Sequence, residues 1–408
     1  MHKKTTSKTF KTFKTKMDVV VSGIGVVSAL GIGVEANIGK LKKGLSGIAP
    51  YPAILATRHK LPVGEIPFSN RELAQRLGFK TARNLSRTSL LGILAAREAI
   101  EDAGLDDTDS LGLVSSTTVG GMDSAEKFYG SLIEGNDASL YKLRFHDCFT
   151  STKAITDYCH INGYVTTLST ACSSAANAII SGVRLLRHGI VEKVLVGGTD
   201  ALSLFTLNGF NSLKILDTER CRPFDANRGG LNLGEGAGYL VLERAEDAKK
   251  CYCKISGFAN NNDAFHQTAS SNEGEGAFLA MQGALEKAGI AADEIDYLNV
   301  HGTGTGNNDL SEAAAMKRVF AKKMPLFSST KAFTGHALAA AGGIEAVYSV
   351  LSAKYGYIYP SLNFTTTDSE IALVPCKEFT TKPGIRHIMS NSLGFGGNCT
   401  TIIFSAIR

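Results

Sequence analysis

Residues 168–178 read LSTACSSAANA, a short segment in which a predicted strand runs into a predicted helix. Residues 164–169 are rich in β-branched side chains, and residues 175–188 have helical spacing and end at Gly189. Cys172 therefore lies close to a helix N-terminus, where unpaired N–H groups and the helix dipole favour the thiolate, the reactive form. Two interpretations stay open at this point, a nucleophile and a buried structural cysteine.

Strands and helices alternate on both sides of this corner. The further predicted elements are helices over residues 85–103, 277–288, 311–320 and 342–353, and strands over 111–118, 193–198, 297–300, 326–329, 388–390 and 400–405. This alternation predicts an α/β chain with largely parallel, buried sheets. The elements before and after about residue 250 follow a similar order, which is compatible with a duplicated architecture.

A glycine pattern near the start approximates the dinucleotide-binding fingerprint G-x-G-x-x-G/A through Gly23, Gly25 and Ser28. That fingerprint also needs an acidic residue about twenty positions later. Here residues 40–44 read KLKKG and contain no acid. The glycines therefore predict an ordinary turn from a strand into a helix rather than a cofactor site.

Composition and charge limit the function classes. The chain has 408 residues, 44% apolar and 20% charged, which is typical of a globular protein with room for two or three domains or one large double domain. The net charge of +5 is carried by the first 16 residues, which hold six lysines and no acid. We therefore expect a basic, disordered tail over residues 1–16, or a true start at Met17, and no nucleic-acid partner.

The chain shows no sign of secretion or of a membrane span. It has no run of 18 apolar residues, and the basic tail lacks the apolar core of a secretion signal. The eight cysteines are scattered without a C-x-x-C pair, so they predict neither a disulfide framework nor a zinc site. These features predict a reducing, cytoplasmic location.

Two further segments place polar side chains where predicted strands end. Residues 297–306 read YLNVHGTGTG, with His301 at the junction, and residues 328–343 read SSTKAFTGHALAAAGG, with Lys331 and His336 five positions apart. A lone histidine is more often structural, but two histidines at strand-to-loop junctions flanked by glycine and threonine indicate a site.

A glycine-dense turn, SNSLGFGG, covers residues 390–397 after a predicted strand. Free backbone N–H groups in such a turn are suited to facing an oxyanion. No residues have the spacing of zinc ligands, and no phosphate-binding P-loop is present.

In combination, the motifs TACSS, HGTGT, STKAFTGH and GFGG resemble the β-ketoacyl-(acyl carrier protein) synthase family, in its elongating Cys-His-His branch. RPFD at 222–225, RGGLNLGEGAG at 228–238 and LVLE at 240–243 match as well. All of them follow the family's order from about Met17 to the C-terminus, which makes the resemblance very specific.

The resemblance implies a thiolase fold, with two similar α/β halves whose mixed sheets are sandwiched by helices. We expect an N-terminal half over residues 17–250 that carries the nucleophile and a C-terminal half over 251–408 that carries both histidines. The implied activity is an acyltransferase reaction, the decarboxylative Claisen condensation of an acyl-enzyme thioester with malonyl-(acyl carrier protein). It requires no intrinsic cofactor, because the phosphopantetheine of the acyl carrier protein holds the substrates.

The resemblance also assigns roles to the polar residues. Cys172 would accept the acyl chain. His301 and His336 would assist malonyl decarboxylation, as neutral imidazoles that donate N–H bonds to the enolate. Lys331 would keep the local field positive and help to hold the second histidine through a network that includes Glu345.

The remaining assignments concern substrate contacts. Backbone N–H groups of Cys172 and Phe395 would form the oxyanion hole, and Phe395 would also gate the pocket. Thr303 and Thr305 would bind the pantetheine arm. A monovalent cation and a plain hydrogen-bond network are the two alternatives for four residues: Asn299, Glu345, Ser390 and Asn391.

The expected partner is an acidic acyl carrier protein, which needs only a local basic patch to dock. Candidates for that patch are Lys214, Arg184 and Arg187. The resemblance also implies a dimer, either a homodimer or a heterodimer with a related subunit.

Three departures from the family pattern leave the substrate open. Cys399 follows Gly-Phe-Gly-Gly-Asn where the family has asparagine, Gly306 stands where proline is common, and the stretch between Gly47 and Arg83 is short. Two alternatives for the pathway therefore stay open, housekeeping fatty-acid synthesis and a specialised polyene or polyketide pathway.

Other classes fit the residues less well. A non-catalytic chain-length-factor subunit typically lacks the nucleophile, whereas Cys172 is present with both histidines. A thiolase would carry a second cysteine just ahead of the C-terminal glycines, where this chain has Ser392 and Leu393. A starter-unit synthase would have one histidine and one asparagine instead of two histidines.

Overall fold

The computed structural model describes residues 17–135 and 140–407, so the predicted basic tail over residues 1–16 lies outside the described residues. The strands are β1 Val19–Ser28, β2 Gly31–Ile32, β3 Gly112–Ser116, β4 Val165–Leu168, β5 Lys193–Asp200, β6 Gly236–Arg244, β7 Cys253–Asn262, β8 Tyr297–Asn299, β9 Leu326–Ser328, β10 Tyr357–Ile358, β11 Thr380–Thr381, β12 His387–Leu393 and β13 Asn398–Ala406. The α-helices are α1 Val34–Lys42, α2 Asn70–Arg76, α3 Arg87–Asp102, α4 Met122–Ile133, α5 Phe149–Cys159, α6 Ser174–Arg187, α7 Leu204–Ser212, α8 Glu275–Ala288, α9 Gly306–Val319, α10 Lys331–Thr334 and α11 Ala341–Tyr355. Short 3₁₀ helices cover Leu140–Phe145, Ala292–Glu294, Leu338–Ala340 and Phe395–Gly397.

The strand order reveals a duplicated architecture. The main sheet runs β4-β3-β5-β6-β1-β7-β13-β12-β8-β9, with β2 paired to β1. The N-terminal half contributes β1, β3, β4, β5 and β6 to this order, and the C-terminal half contributes β7, β8, β9, β12 and β13. Counted outward from the central β1–β7 pair, both sets have the same arrangement, with the first strand in chain order followed by the fifth, fourth, second and third. The two halves join where Val20 and Val21 pair with Lys254 and Cys253. The thiolase-like α/β fold is therefore confirmed.

The strands of the main sheet pair both in parallel and antiparallel. Strands β3–β4, β3–β5, β8–β9 and β8–β12 pair in parallel, whereas β1–β6, β5–β6, β7–β13 and β12–β13 pair antiparallel. The expectation of largely parallel sheets is wrong, because the last strand of each half, β6 or β13, runs antiparallel to both of its neighbours. The mixed sheets that the resemblance implied are confirmed.

The core explains the position of the central helices. Residues of α6 and α11 share one apolar cluster with strands from both halves, including β1, β5, β7 and β13. Helix α11 is buried from Ala341 to Ala353, as expected for a helix that is apolar on all sides and lies inside a protein. Helix α3 packs on the N-terminal strands, and α8 and α9 pack on the C-terminal strands.

Gly23 and Gly25 lie inside β1 rather than in a turn, so the predicted strand-to-helix turn at this place is wrong. An added Cβ would stand 2.2 Å from the carbonyl oxygen of Ala99 at position 23 and 2.0 Å from that of Ala95 at position 25. The glycines therefore allow α3 to approach the strand backbone directly. Within residues 17–135 and 140–407, no helix is long and apolar enough to cross a membrane.

Candidate active site

The chain makes a tight turn between β4 and α6, and Cys172 lies in this turn. Ala171 adopts a positive φ of 51°, a region that residues other than glycine seldom occupy. The Ser174 hydroxyl bridges the corner by accepting from the Thr170 N–H at 2.8 Å and donating to the Ala171 carbonyl at 2.6 Å. Cys172 stands directly after the strained residue, two positions before the helix begins.

One cavity of about 270 Å³ brings together most of the predicted site. Its walls include all of these predicted residues: Cys172, His301, His336, Phe395, Thr303 and Thr305. Cys399 also lines the cavity, together with Phe210 and His266, two residues that the sequence analysis did not single out. Lys331 and Glu345 are not part of the lining and lie behind the histidines.

The two histidines face each other edge to face, with ring centroids 5.4 Å apart and an angle of 85° between the rings. Burial and the positive charge of Lys331 hold the pKa of both imidazoles well below the ordinary range. Both rings are therefore neutral near pH 7. His336 Nδ1 has no hydrogen-bond partner among the described residues.

A carboxylate that the sequence analysis missed fixes the loop at His301. Glu312, on α9, accepts the backbone N–H groups of His301 and Gly302 at 2.8 and 2.9 Å. Burial raises the pKa of Glu312 to about 7, with these N–H bonds acting in the opposite direction. Only the fold brings this acid to the loop, since no motif around His301 contains it.

Lys331 contacts the first histidine and not the second. Its ammonium group donates to the His301 carbonyl oxygen at 2.6 Å and lies 3.3 Å from His301 Nδ1. It also forms a buried ion pair with Glu345. Among the hydrogen bonds of the described residues, Lys331 and Glu345 bond each other and none joins either of them to His336, so the expected role of Lys331 in holding the second histidine stays a prediction. The lysine occupies Nδ1 of His301, so the ring proton belongs on Nε2.

Opposing effects act on the pKa of the Cys172 thiol. Burial raises the pKa of its thiol to about 11, although Lys331 and the backbone N–H groups of Phe395 and Cys172 lower it. Asp200 raises this pKa further. Burial therefore favours the neutral thiol, and the two backbone N–H groups near the sulfur act in the opposite direction.

The turn that carries Phe395 packs tightly on the nucleophile corner. A Cβ at Gly394 would lie 2.9 Å from the Thr170 carbonyl oxygen and 3.3 Å from the Cys172 backbone nitrogen. The Phe395 ring stacks on Phe210 of α7, with centroids 5.6 Å apart. Glycine at position 394 therefore allows the two segments to touch.

The threonines after His301 form a small polar wall. Their hydroxyl oxygens, on Thr303 and Thr305, lie 2.9 Å apart, and the Thr303 N–H donates to Asp309 at 3.1 Å. Asp309 also accepts the Gly304 N–H at 3.2 Å. The loop is thus held from inside, which leaves the hydroxyl groups towards the cavity.

The four residues of the hypothetical cation site are only partly free to bind one. Both polar side-chain atoms of Asn299 and one oxygen of Glu345 are buried without a hydrogen-bond partner among the described residues. Ser390 pairs with Asn299 in the parallel β8–β12 register. The Asn391 amide is already bonded to Glu312 and Thr401. In the described chain, no group of three or more His, Cys, Asp or Glu side chains is arranged to hold a metal ion.

The three candidate docking residues lie in different places. Lys214 is exposed and adjoins Ile215, which lines the cavity. Arg184 and Arg187 lie at the far end of α6, whose 14 residues span about 20 Å from the nucleophile corner. Their guanidinium groups lie over Phe258 instead. The structure therefore separates the two arginines from the cavity mouth.

The sequence of this chain matches known protein families and known relatives. The profile of the β-ketoacyl synthase N-terminal domain matches residues 16–248, and that of the C-terminal domain matches residues 252–365. The 3-oxoacyl-(acyl carrier protein) synthase 2 of Staphylococcus aureus is 34% identical over 407 residues, covering 95% of this chain and 97% of its own. That of Vibrio harveyi is 31% identical over 415 residues, covering 96% of this chain and 99% of its own.

The chain is also similar to solved structures of ketosynthases. The ishigamide ketosynthase/chain length factor superposes with a TM-score of 0.90 at 29% identity, covering 97% of this chain and all of the matched one. The ketosynthase ApeO in complex with its chain length factor ApeC from Xenorhabdus doucetiae gives 0.84 at 30% identity, covering 96% and 98%. The chain belongs to the β-ketoacyl synthase family.

Proposed function

We propose that this acyltransferase joins an acyl unit held on Cys172 to a malonyl unit, with both units delivered on acyl carrier protein. The observation that carries the proposal is the single cavity lined by Cys172, His301 and His336. A non-catalytic chain-length factor would not need a thiol and two neutral imidazoles in one cavity.

The first step is acyl transfer to sulfur. The Cys172 sulfur attacks the acyl thioester carbonyl, the bond to the pantetheine sulfur breaks, and the thiol proton ends on the released pantetheine. Lys331 and the N-terminus of α6 stabilise the charge that develops on the attacking sulfur. The backbone N–H groups of Cys172 and Phe395 are suited to the carbonyl oxygen of the tetrahedral intermediate, because both already point towards the sulfur.

The second step is decarboxylation. Breakage of the bond to the malonyl carboxylate releases carbon dioxide and leaves an enolate, whose oxygen would accept N–H bonds from His301 and His336. Neutral rings are suited to this role, and the lysine contact at His301 Nδ1 directs the Nε2 proton away from Lys331. The enolate carbon then attacks the acyl group, and the carbon–sulfur bond to Cys172 breaks to give the β-ketoacyl product. The sulfur leaves as a thiolate and takes a proton from solvent, which restores the thiol for the next cycle.

The remaining proposed roles concern the pantetheine arm, the gate and a monovalent cation. Thr303 and Thr305 offer hydroxyl groups to the pantetheine arm, and Phe395 gates the entrance by its stacking on Phe210. Asn299 and Glu345 have buried atoms without partners that would suit a monovalent cation, which would supply positive charge behind the histidines. Glu345 pairs with Lys331 through its other oxygen.

The partners we propose are an acyl carrier protein and a second subunit. Lys214 is the docking candidate that adjoins the cavity, and Arg184 and Arg187 are withdrawn because of their distance from it. Exposed apolar side chains on α4 and just after it support a subunit contact: Tyr129, Leu132, Ile133, Leu140, Leu143 and Phe149. The ishigamide ketosynthase/chain length factor and the complex of ApeO with its chain length factor ApeC support a related subunit as well as a second copy.

Two broader proposals follow. The eight cysteines are all free, which supports a reducing, cytoplasmic location. The division near residue 250 separates the strand sets that carry the nucleophile and the histidines, which supports two halves over 17–250 and 251–408.

The test is reconstitution with acyl- and malonyl-acyl carrier proteins, followed by mass spectrometry of the carrier-bound product. We expect a β-ketoacyl chain two carbons longer than the donor and its loss in Cys172→Ala. Cys399→Ala is the matched control, because this second cavity cysteine has no role in the mechanism, and it should retain elongation. Elongation by Cys172→Ala would overturn the proposal.

A further inference from the structure

Asn398 lies at the meeting point of the two halves of the site. It follows the Phe395–Gly397 turn directly and begins β13. Its carbonyl oxygen accepts the Gly394 N–H at 2.8 Å, which closes the turn around Phe395. The backbone of Asn398 is therefore part of the segment that supplies one of the two N–H groups near the sulfur.

The side chain of Asn398 reaches the other segment. Its Oδ1 lies 2.7 Å from the hydroxyl oxygen of Ser173, the buried residue next to Cys172. The Asn177 amide, in the first turn of α6, donates to the same oxygen at 2.9 Å. The amide of Asn260, on β7, donates to it at 2.7 Å. One side-chain oxygen thus binds the nucleophile corner and a neighbouring strand at once.

The orientation of these amides is internally consistent. Asn177 Oδ1 accepts from the Thr400 hydroxyl at 3.2 Å, so its Nδ2 faces Asn398. The same Nδ2 also donates to the Thr170 hydroxyl at 2.9 Å, within the strained corner. The single Ser173 hydroxyl proton is shared between the Thr170 carbonyl oxygen, at 2.7 Å, and Asn398 Oδ1, so it is the two amide donors of Asn177 and Asn260 that require an acceptor at position 398.

We propose that Asn398 is a positioning residue for the oxyanion hole. The two N–H groups belong to segments some 220 residues apart, and Asn398 Oδ1 joins those segments through Ser173 and Asn177 at separations of 225 and 221 residues. Loss of this oxygen would let the Phe395 turn move relative to the Cys172 corner. The proposal rests on the proposed function, because it assigns Asn398 to the acyl-transfer half of that reaction.

The mechanism predicts a split between the two half-reactions. Acyl transfer uses the oxyanion hole, whereas malonyl decarboxylation uses the two histidines, which are tied to Glu312 and Asn232 and not to Asn398. Asn398→Ala should slow acylation of Cys172 about ten-fold, a fraction of the effect of deleting an oxyanion-hole donor outright. Malonyl decarboxylation should change by less than about two-fold, because no histidine contact is lost.

The experiment measures both rates on the full chain. Rapid-quench intact mass gives the acylation rate from acyl-(acyl carrier protein), and carbon dioxide release from malonyl-(acyl carrier protein) gives decarboxylation. The matched control is Asn260→Ala, which removes one bond to the same Oδ1 but leaves the bonds to Ser173 and Asn177. It should keep the acylation rate near that of the wild type.

Ser173→Ala keeps the proposal testable if Asn398→Ala does not fold. It removes the partner hydroxyl from the other side and should slow acylation in the same direction, and the two changes together should slow it by less than the product of their separate effects. Equal slowing of both half-reactions, or equal effects of Asn398→Ala and Asn260→Ala, would overturn the role of Asn398. Failure of the wild type to elongate would instead overturn the proposed function.

Discussion

The pH dependence of Cys172 alkylation follows directly from its surroundings. Burial raises the pKa of the thiol to about 11, which outweighs the lowering by Lys331 and two backbone N–H groups. At pH 8 the thiolate fraction is then about 10⁻³, and it grows about ten-fold for each pH unit below the pKa. The rate of alkylation by iodoacetamide should therefore rise about ten-fold from pH 7 to 8 and again from pH 8 to 9.

The assay is time-resolved alkylation with peptide mapping, so that Cys172 is followed separately from the other seven cysteines. Cys172→Ala supplies the blank for its peptide, and Cys399, whose pKa burial raises to about 12, serves as the internal comparison and should react more slowly at every pH. A rate at Cys172 that levels off below pH 8 would refute the reasoning. It would mean that the helix N-terminus outweighs burial and holds the resting sulfur as a thiolate.

Three further predictions test separate parts of the site. His336→Ala should still acylate Cys172 but lose malonyl decarboxylation by about 100-fold, measured as carbon dioxide release; an equal loss of acylation would contradict the division of roles. Lys331→Met should lower the free energy of unfolding by about 3 kcal/mol in a denaturant titration, because Glu345 loses its buried partner, and the double change Lys331→Met, Glu345→Gln should recover part of that loss; no recovery would argue against the ion pair. Gly394→Ala should slow acyl transfer in the quench assay, since its Cβ would stand 2.9 Å from a carbonyl oxygen; an unchanged rate would show that the turn yields freely.

The part of the site that sequence could predict is the part that local pattern encodes. The corner at Cys172 is marked by a β-branched run followed by small helix formers, and α6 begins within one residue of the predicted position. His301 and His336 stand where strand patterns end, and the structure brings them to one cavity with Cys172. Their catalytic roles stay predictions.

The rest depends on tertiary contacts that leave no local mark. Lys331 is five residues from His336 in sequence, yet it contacts His301, which lies 30 residues away in the chain. Asn398 acts through Ser173, 225 residues away in the chain, and Glu312 reaches the backbone of His301 only because α9 packs against that loop. At Cys172 the position near a helix N-terminus is visible in sequence, whereas the burial that raises the pKa of the thiol is not.

Gly23 and Gly25 show the converse error. A glycine pair after a β-branched run usually indicates a turn, but here the space is required by α3 rather than by a bend. The two glycines allow a close approach between backbones and do not reverse the chain, so the predicted turn was wrong.

The central claim is that Cys172 carries the growing chain, and the most direct measurement is the mass and position of the acyl adduct. The protein is incubated with acyl-(acyl carrier protein) alone, quenched in acid, digested and mapped by tandem mass spectrometry. The account predicts one acyl group per chain, on the peptide that contains Cys172, which disappears when malonyl-(acyl carrier protein) is added. An adduct on Cys399, or elongation without any adduct on Cys172, would contradict it.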